Sequence, residues 1–327
     1  MIETHPTHAE IGVARPADTH HGGWPHRHLL DVDQLSREAA ERCLRLAAEM
    51  RALRERGERL DQLQGHVVGL AFAEPSTRTR VSFEMAATAL GAQVVTLPLD
   101  ASSLSKGESL ADTLRTLERT GVQTVVLRHA AAGAPYLAAR ATGLRVINAG
   151  DGAHAHPTQA LLDALTLADA FGGVERMAGR AVAIVGDVAH SRVARSNLHL
   201  LHRLGVSVRL AGPPAWVRGF ASWPGVDITA SLEEALDGVD AVMALRVQLE
   251  RDAAGGVPSL AEYSVRWGLN EERMRLARPG AALLHPGPTN EGVELTADLA
   301  CGERSLIGRQ VVSGVAIRMA VLSLLAP

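Results

Sequence analysis

Serine, threonine and arginine crowd together at residues 75–80, P-S-T-R-T-R, directly after the apolar run G-L-A-F-A-E. A short apolar run followed by a helical pattern predicts a strand that turns into a helix. The first turn of a helix offers unpaired N–H groups to an anion, and an arginine adds a planar charged fork. The alternative is a capped helix with surface arginines. Because one serine, two threonines and two arginines fall within residues 76–80, we predict that this turn binds an anion such as phosphate.

Arginines follow several of the later predicted strands as well. Arg128, Arg192 and Arg246 each come just after an apolar run, as Arg78 does. Arginine is common in this chain, so any single one could stand there by chance. Because the carboxyl ends of parallel strands meet at one edge of a sheet, the four together predict a site for two strongly anionic ligands.

A histidine and a glutamine open another predicted helix. In H-P-T-Q, Pro157 suits the first helical position, so His156 and Gln159 lie on neighbouring helical surface. A lone histidine at such a place is usually structural. Beside an anion site, His156 could instead donate a hydrogen bond to a carbonyl oxygen.

Lys106 is the only lysine in the chain, since all the other residues among its 33 lysines and arginines are arginine. An ammonium group is a compact charge on a flexible stem, whereas a guanidinium is wide and rigid. A crowded cleft could therefore require lysine where arginine does not fit. The alternative is that the last lysine stands here without a function, and the residue alone leaves both possibilities open.

Alternating strand and helix patterns must position these residues. Short apolar runs alternate with amphipathic segments from residue 29 onward, which predicts βαβ units and parallel sheets. We predict an α/β fold with two doubly wound parallel-sheet domains joined by interdomain helices. The predicted segments are a flexible extension at 1–28, a first domain at 29–160, a second at 161–304 and a C-terminal helix at 305–327 that returns to the first domain.

Composition is that of an ordinary soluble protein. The chain has 327 residues, 46% of them hydrophobic, and a net charge of -3, so no basic surface for nucleic acid is expected. No run of about 18 apolar residues predicts a membrane span, and no signal pattern opens the chain. We expect a cytoplasmic protein. Without a carboxylate cluster or a G-x-G-x-x-G motif, we expect no metal and no dinucleotide cofactor.

The first 28 residues differ from the rest, because six of the 14 histidines lie there among proline, glycine and threonine. A metal-binding tail is one interpretation. A flexible extension or subunit contact is the other, and we favour it because no ligand spacing recurs.

Motifs spread in order from residue 29 to 325 resemble bacterial aspartate carbamoyltransferase catalytic chains. They include EPSTRTRVSFE, SLSKGESLADT, NAGDGAHAHPTQALLD and LHPGPTNEGVEL. The S-T-R-T-R motif marks the wider aspartate/ornithine carbamoyltransferase family. LRVQLER and HPGP indicate aspartate, because an ornithine enzyme would show an HCLP-type motif instead. The resemblance implies a transferase that joins carbamoyl phosphate to L-aspartate, giving N-carbamoyl-L-aspartate and phosphate in pyrimidine synthesis.

The resemblance also implies roles for individual residues. The residues that would hold carbamoyl phosphate are Ser76, Thr77, Arg78, Thr79, Arg128, His156, Gln159, Pro286 and Gly287. Thr79, Arg128 and His156 would point at the carbamoyl oxygen, which gains negative charge as the amine attacks. Gln159 would bind the carbamoyl nitrogen. The backbone carbonyls of Pro286 and Gly287 would accept hydrogen bonds from the NH2 of the carbamoyl group.

Aspartate would be held by Lys106, Arg192, Arg246 and Gln248, since two arginines suit two carboxylates. Ser103 and Lys106 would come from the neighbouring subunit of a homotrimer with shared active sites. The residues that would act directly in catalysis are Arg78, Thr79, Arg128, His156 and Lys106. The segment VAHSRVARSN and the N-terminal extension look like those of chains that assemble with dihydroorotase-like subunits.

One departure from the family pattern is Glu291, which stands where related chains usually have arginine. It reverses a charge that we expect near the mouth of the substrate site. Two alternatives to the aspartate enzyme are a carbamoyltransferase for another amino acid such as ornithine and a catalytically weak scaffold or binding subunit. Only the second of these is supported by Glu291.

Overall fold

A computed structural model of the protein describes residues 24–99, 108–248 and 259–326. The strands in these ranges are β1 Val67–Phe72, β2 Gln93–Pro98, β3 Thr124–His129, β4 Arg145–Asp151, β5 Ala181–Val185, β6 Ser207–Ala211, β7 Val226–Ile228, β8 Ala241–Ala244 and β9 Ala282–Leu284. The helices are α1 Arg37–Glu55, α2 Thr77–Ala89, α3 Leu110–Arg119, α4 Ala134–Ala141, α5 Pro157–Phe171, α6 Arg192–Arg203, α7 Pro214–Val217, α8 Leu232–Leu236, α9 Leu260–Trp267, α10 Glu271–Met274, α11 Ala297–Cys301 and α12 Ile307–Leu324.

The strands form two sheets, and every strand pair in them is parallel. Sheet A has the order β2-β1-β3-β4, and sheet B has the order β7-β6-β5-β8-β9. The central strand β5 reads A-V-A-I-V and is almost wholly buried, as expected for a strand with both faces covered by helices. The predicted fold class is confirmed.

Two helices connect the sheets. In α5 every residue from Pro157 to Ala168 is buried, and α12 packs against α1, α2 and α5. The Thr166 hydroxyl on α5 donates to the Ser313 hydroxyl on α12 over 3.0 Å. Helix α5 contacts β4 of sheet A and β9 of sheet B, and α12 packs against α5 and β9. The exact domain boundaries at 28, 160 and 304 stay predictions.

Helix α12 is long and apolar enough, by length and composition, to cross a membrane. Within the protein 61% of it is buried against other elements. It therefore also meets the description of the core helix of a globular domain.

Candidate active site

A cleft of about 900 Å³ lies where the carboxyl ends of strands from both sheets face each other. Every predicted site residue that falls in the described ranges lines it: Ser76, Thr77, Arg78, Thr79, Arg128, His156, Gln159, Arg192, Arg246, Gln248, Pro286 and Gly287. Ser103 and Lys106 lie outside the described residues. The cleft thus collects side chains that are up to about two hundred positions apart in the sequence.

The N-terminus of α2 is open toward the cleft. Ser76 occupies its N-cap position, but its hydroxyl makes no capping hydrogen bond. The N-cap serines of α1, α3, α6, α8 and α9 all accept a hydrogen bond from the amide three residues later. The cap predicted at Ser76 is therefore present by position only. Within the described part of the chain, its hydroxyl and the first amides of α2 therefore remain available for an anion.

Glu74, at the end of the segment after β1, holds two of the arginines. Both terminal nitrogens of Arg192 donate to its Oε2 over 3.0 Å, and Arg128 Nε lies 3.6 Å from the same oxygen. Phe72 of β1 is paired with Arg128 of β3. This pairing brings Arg128 to the level of Glu74, which lies two residues after Phe72. One carboxylate therefore contacts the guanidinium groups of Arg128 in β3 and Arg192 at the start of α6.

Gly150 lets these guanidinium groups approach the backbone. Its φ is +115°, and a Cβ there would lie 3.0 Å from Arg192 Cζ and 3.1 Å from Arg128 Nη1. A side chain at this position would push both arginines away. Arg128 Nη1 also donates to the Ala149 carbonyl over 3.2 Å.

His156 is buried at the start of α5. Its backbone N–H donates to the Ser196 hydroxyl over 2.9 Å. Burial, with the charges of Arg128, Arg192 and Arg318, lowers the pKa of His156 well below its usual value. The imidazole is therefore neutral at pH 7, and one of its nitrogens carries a proton that it can donate.

Gln159 belongs to a buried polar cluster that sequence reasoning missed. Its Nε2 donates to Asp163 Oδ1 over 2.9 Å, and Gln310 Nε2 on α12 donates to the same oxygen over 2.7 Å. Asn197 Nδ2 donates to Asp163 Oδ2 over 2.8 Å. Arg318 lies at the cleft with 3% of its surface exposed. The available signal was the presence of Gln310 and Arg318 in a mostly apolar helix.

The loop after β8 is fixed by two buried carboxylates. Asp187 accepts from the backbone N–H of Gln248 over 3.3 Å, and Glu294 accepts from the backbone N–H of Val247 over 2.8 Å. Gln248 Nε2 donates to the His190 carbonyl over 3.3 Å. These contacts place Arg246 and Gln248 at the rim of the cleft.

The segment after β9 touches the phosphate motif directly. Gly287 has φ +65°, and a Cβ there would lie 2.9 Å from Arg78 Cζ. Its N–H donates to His285 Nδ1 over 2.9 Å. Burial, with the charges of Arg78 and Arg246, lowers the pKa of His285 to about 4. A neutral His285 thus keeps the backbone of Gly287 against Arg78.

Glu291, the departure from the family pattern, is exposed and is not among the residues that line the cleft. Its neighbour Glu294 is the buried carboxylate of this loop, with Oε2 accepting from the Asn290 backbone N–H over 2.8 Å. The charge reversal therefore lies outside the cleft wall that residues 24–99, 108–248 and 259–326 form.

Comparisons with known proteins agree with this geometry. Residues 27–169 match the carbamoyl-phosphate-binding domain of the aspartate/ornithine carbamoyltransferases, and residues 178–325 match their Asp/Orn-binding domain. The aspartate carbamoyltransferase catalytic subunit of Gluconobacter oxydans is 50% identical over 302 residues, covering 92% of this chain and 96% of the relative.

Solved structures are similar over nearly the whole chain. Aspartate transcarbamoylase from Trypanosoma cruzi in complex with carbamoyl phosphate has a TM-score of 0.82 and 33% identity, covering 90% of this chain and 94% of that one. Ornithine carbamoyltransferase from Thermus thermophilus has a TM-score of 0.80 and 30% identity, covering 92% and 99%. Two sheets, a shared cleft and matched domains along the chain lead to one conclusion: the chain belongs to the aspartate/ornithine carbamoyltransferase family.

Proposed function

We propose that this protein transfers the carbamoyl group of carbamoyl phosphate to the amine of L-aspartate, giving N-carbamoyl-L-aspartate and phosphate. The observation that carries the proposal is the convergence of Arg78, Arg128, Arg192 and Arg246 on one cleft beside the open N-terminus of α2. Two anionic substrates need such a concentration of positive charge. The relatives at about half identity are named for the aspartate reaction.

Phosphate would bind at the start of α2. The Ser76 hydroxyl and the first amides of the helix donate to its oxygens, and Arg78 supplies a charged fork. Thr77 and Thr79 add hydroxyl donors. The Ser76 hydroxyl makes no capping hydrogen bond that a ligand would have to break.

The carbamoyl oxygen would lie among Thr79, Arg128 and neutral His156. As the aspartate nitrogen attacks, the new N–C bond forms and charge moves onto this oxygen. Fixed donors stabilise that charge more than they stabilise the ground state, and one such donor is worth roughly 2.7–4 kcal/mol in other enzymes. The C–O bond to phosphate then breaks, and the departing phosphate takes the proton of the amine.

The other end of the carbamoyl group is an NH2, which needs acceptors. Gln159 Oε1 and the carbonyls of Pro286 and Gly287 would supply them. Arg192, Arg246 and Gln248 would bind the two carboxylates of aspartate. Holding both reactants in line in one cleft supplies much of the rate enhancement.

Ser103 and Lys106 would complete the site from the adjoining chain of a homotrimer in the cytoplasm. A dihydroorotase-like subunit is a further proposed partner in a larger assembly. Copurification from the native host tests that partner, and recovery of bare trimers only would contradict it.

The test of the function is a carbamoyl phosphate assay with aspartate or ornithine as the acceptor. Formation of carbamoyl aspartate, with no carbamoyl ornithine, is expected. Carbamoylation of ornithine would favour the other transferase. Intact phosphate binding without turnover of either amino acid would favour a scaffold or binding subunit.

A further inference from the structure

We infer that Asp163 is a positioning residue that makes the cleft select a carbamoyl group over an acetyl group; the inference rests on the proposed function. Asp163 is fully buried on α5, one helical turn after Gln159. It touches no substrate site directly. It acts through the amide side chains of Gln159 and Gln310, which do line the cleft.

An ionised carboxylate can only accept hydrogen bonds, so it fixes which way a neighbouring amide points. Gln159 turns its Nε2 to Asp163 Oδ1 over 2.9 Å, which leaves Gln159 Oε1 for the cleft. If Asp163 could also donate, the amide could turn round and present its NH2 instead. The carboxylate therefore makes Gln159 an acceptor toward the ligand.

Gln310 carries the same constraint to the opposite wall. Its Nε2 donates to Asp163 Oδ1 over 2.7 Å, and its Oε1 accepts from the backbone N–H of His285 over 2.9 Å. His285 directly precedes Pro286 and Gly287, whose carbonyls are the other proposed acceptors. One buried carboxylate thus sets the acceptors on both sides of the carbamoyl NH2.

The surroundings of Asp163 keep it ionised at neutral pH. Burial raises its pKa to about 6, while Asn197, Gln310, Gln159 and the charge of Arg318 act in the opposite direction. Arg318 is itself buried, with its guanidinium 5.0 Å from the centre of the Phe83 ring. Asp163 is thus a charged acceptor with three amide donors and a cation nearby.

Acetyl phosphate differs from carbamoyl phosphate by a methyl group in place of the NH2. A site whose acceptors are fixed and desolvated discriminates strongly against an analogue that lacks the donor. A site whose amides can turn loses that discrimination. The preference for carbamoyl phosphate over acetyl phosphate therefore reports the role of Asp163.

The test is Asp163→Asn, because asparagine keeps the shape but can donate as well as accept. Dissociation constants for carbamoyl phosphate, acetyl phosphate and inorganic phosphate are measured by calorimetry. Carbamoyl phosphate should bind about tenfold more weakly or worse, while the other two ligands change by less than about twofold. The matched control is Asp169→Asn, also on α5, whose carboxylate pairs with Arg51 on the surface and should leave all three constants unchanged.

Gln310→Met is the second variant, and it keeps the Asp163–Gln159 contact while removing the link to His285. This variant should lower the preference for carbamoyl phosphate over acetyl phosphate by a smaller factor than Asp163→Asn does. It provides the test if Asp163→Asn does not fold. A wild-type preference in either folded variant, or an equal loss for all three ligands, overturns the inference. Failure of the proposed function would be seen separately. In that case the wild-type protein would form no carbamoyl aspartate, whether or not it binds carbamoyl phosphate more tightly than acetyl phosphate.

Discussion

Glu74 Oε2 accepts hydrogen bonds from both terminal nitrogens of Arg192, although the two residues are 118 positions apart and follow strands of different sheets, β1 and β5. Both residues line the cleft. Arg128 Nε also lies 3.6 Å from this oxygen. One carboxylate therefore orients both Arg128, which we propose binds the carbamoyl group, and Arg192, which we propose binds aspartate.

Glu74→Gln should therefore weaken aspartate binding. The neutral amide keeps the size of the side chain but loses the charged acceptor for Arg192, and a hydrogen bond to a charged group is worth about 1.5–3 kcal/mol. The KM for aspartate should rise by about tenfold or more in steady-state assays. Glu272→Gln on the exposed surface of α10 is the control, and equal KM values for the two variants would count against the role of Glu74.

Gly287→Ala should weaken phosphate binding and lower stability. Its positive φ costs about 1–2 kcal/mol for alanine, and the new methyl would lie 2.9 Å from Arg78 Cζ. Gly57→Ala has a matched φ of +73° with open space around the site. Both variants should lose similar stability in denaturant titrations, but only Gly287→Ala should raise the dissociation constant of inorganic phosphate. Equal phosphate affinity in the two would contradict the contact with Arg78.

His285 should make stability fall in acid. Its folded pKa of about 4 lies below the usual 6.5, so the unfolded chain takes up a proton that the folded protein refuses. This contribution to stability is present above pH 6.5 and is lost as the pH falls from 6.5 toward 4. Relative to His285→Asn, the wild-type free energy of unfolding should drop by about 2 kcal/mol between pH 7.5 and 5. A difference that does not change with pH would show that His285 titrates normally.

Mixing two inactive variants should restore activity if sites are shared between chains. Lys106→Gln and Arg78→Ala each remove one residue that we propose binds substrate, and the two residues would lie on opposite sides of a subunit boundary. In randomly mixed trimers about a quarter of the sites would contain both Lys106 and Arg78. Activity of the remixed sample should approach that fraction of wild type, and no recovery after verified subunit exchange would argue against donation by a neighbour.

The sequence allowed the sheets and the cleft residues to be predicted because strand ends are local features. Arg128 and Arg192 could each be assigned to the end of an apolar run, and parallel topology then brings such ends together. The edge strand β7 has only three residues, none of them fully buried, so its sequence carries little of a strand pattern.

The Asp163 cluster could not be predicted for a different reason. Gln310 donates to Asp163 from 147 positions away, and nothing in either local pattern reports that the two helices meet. The open N-terminus of α2 was also beyond sequence reasoning, because Ser76 has the residue type of a cap and only its geometry shows that it does not cap.

The position of α12 has a consequence for biosynthesis. The ribosome delivers both sheets before it delivers this helix, yet Gln310 and Arg318 on α12 line the cleft. A nascent chain that stops short of Ile307 has the phosphate motif but lacks this part of the wall. Substrates present during translation can therefore contact the Gln310 and Arg318 part of the wall only after α12 has emerged and docked.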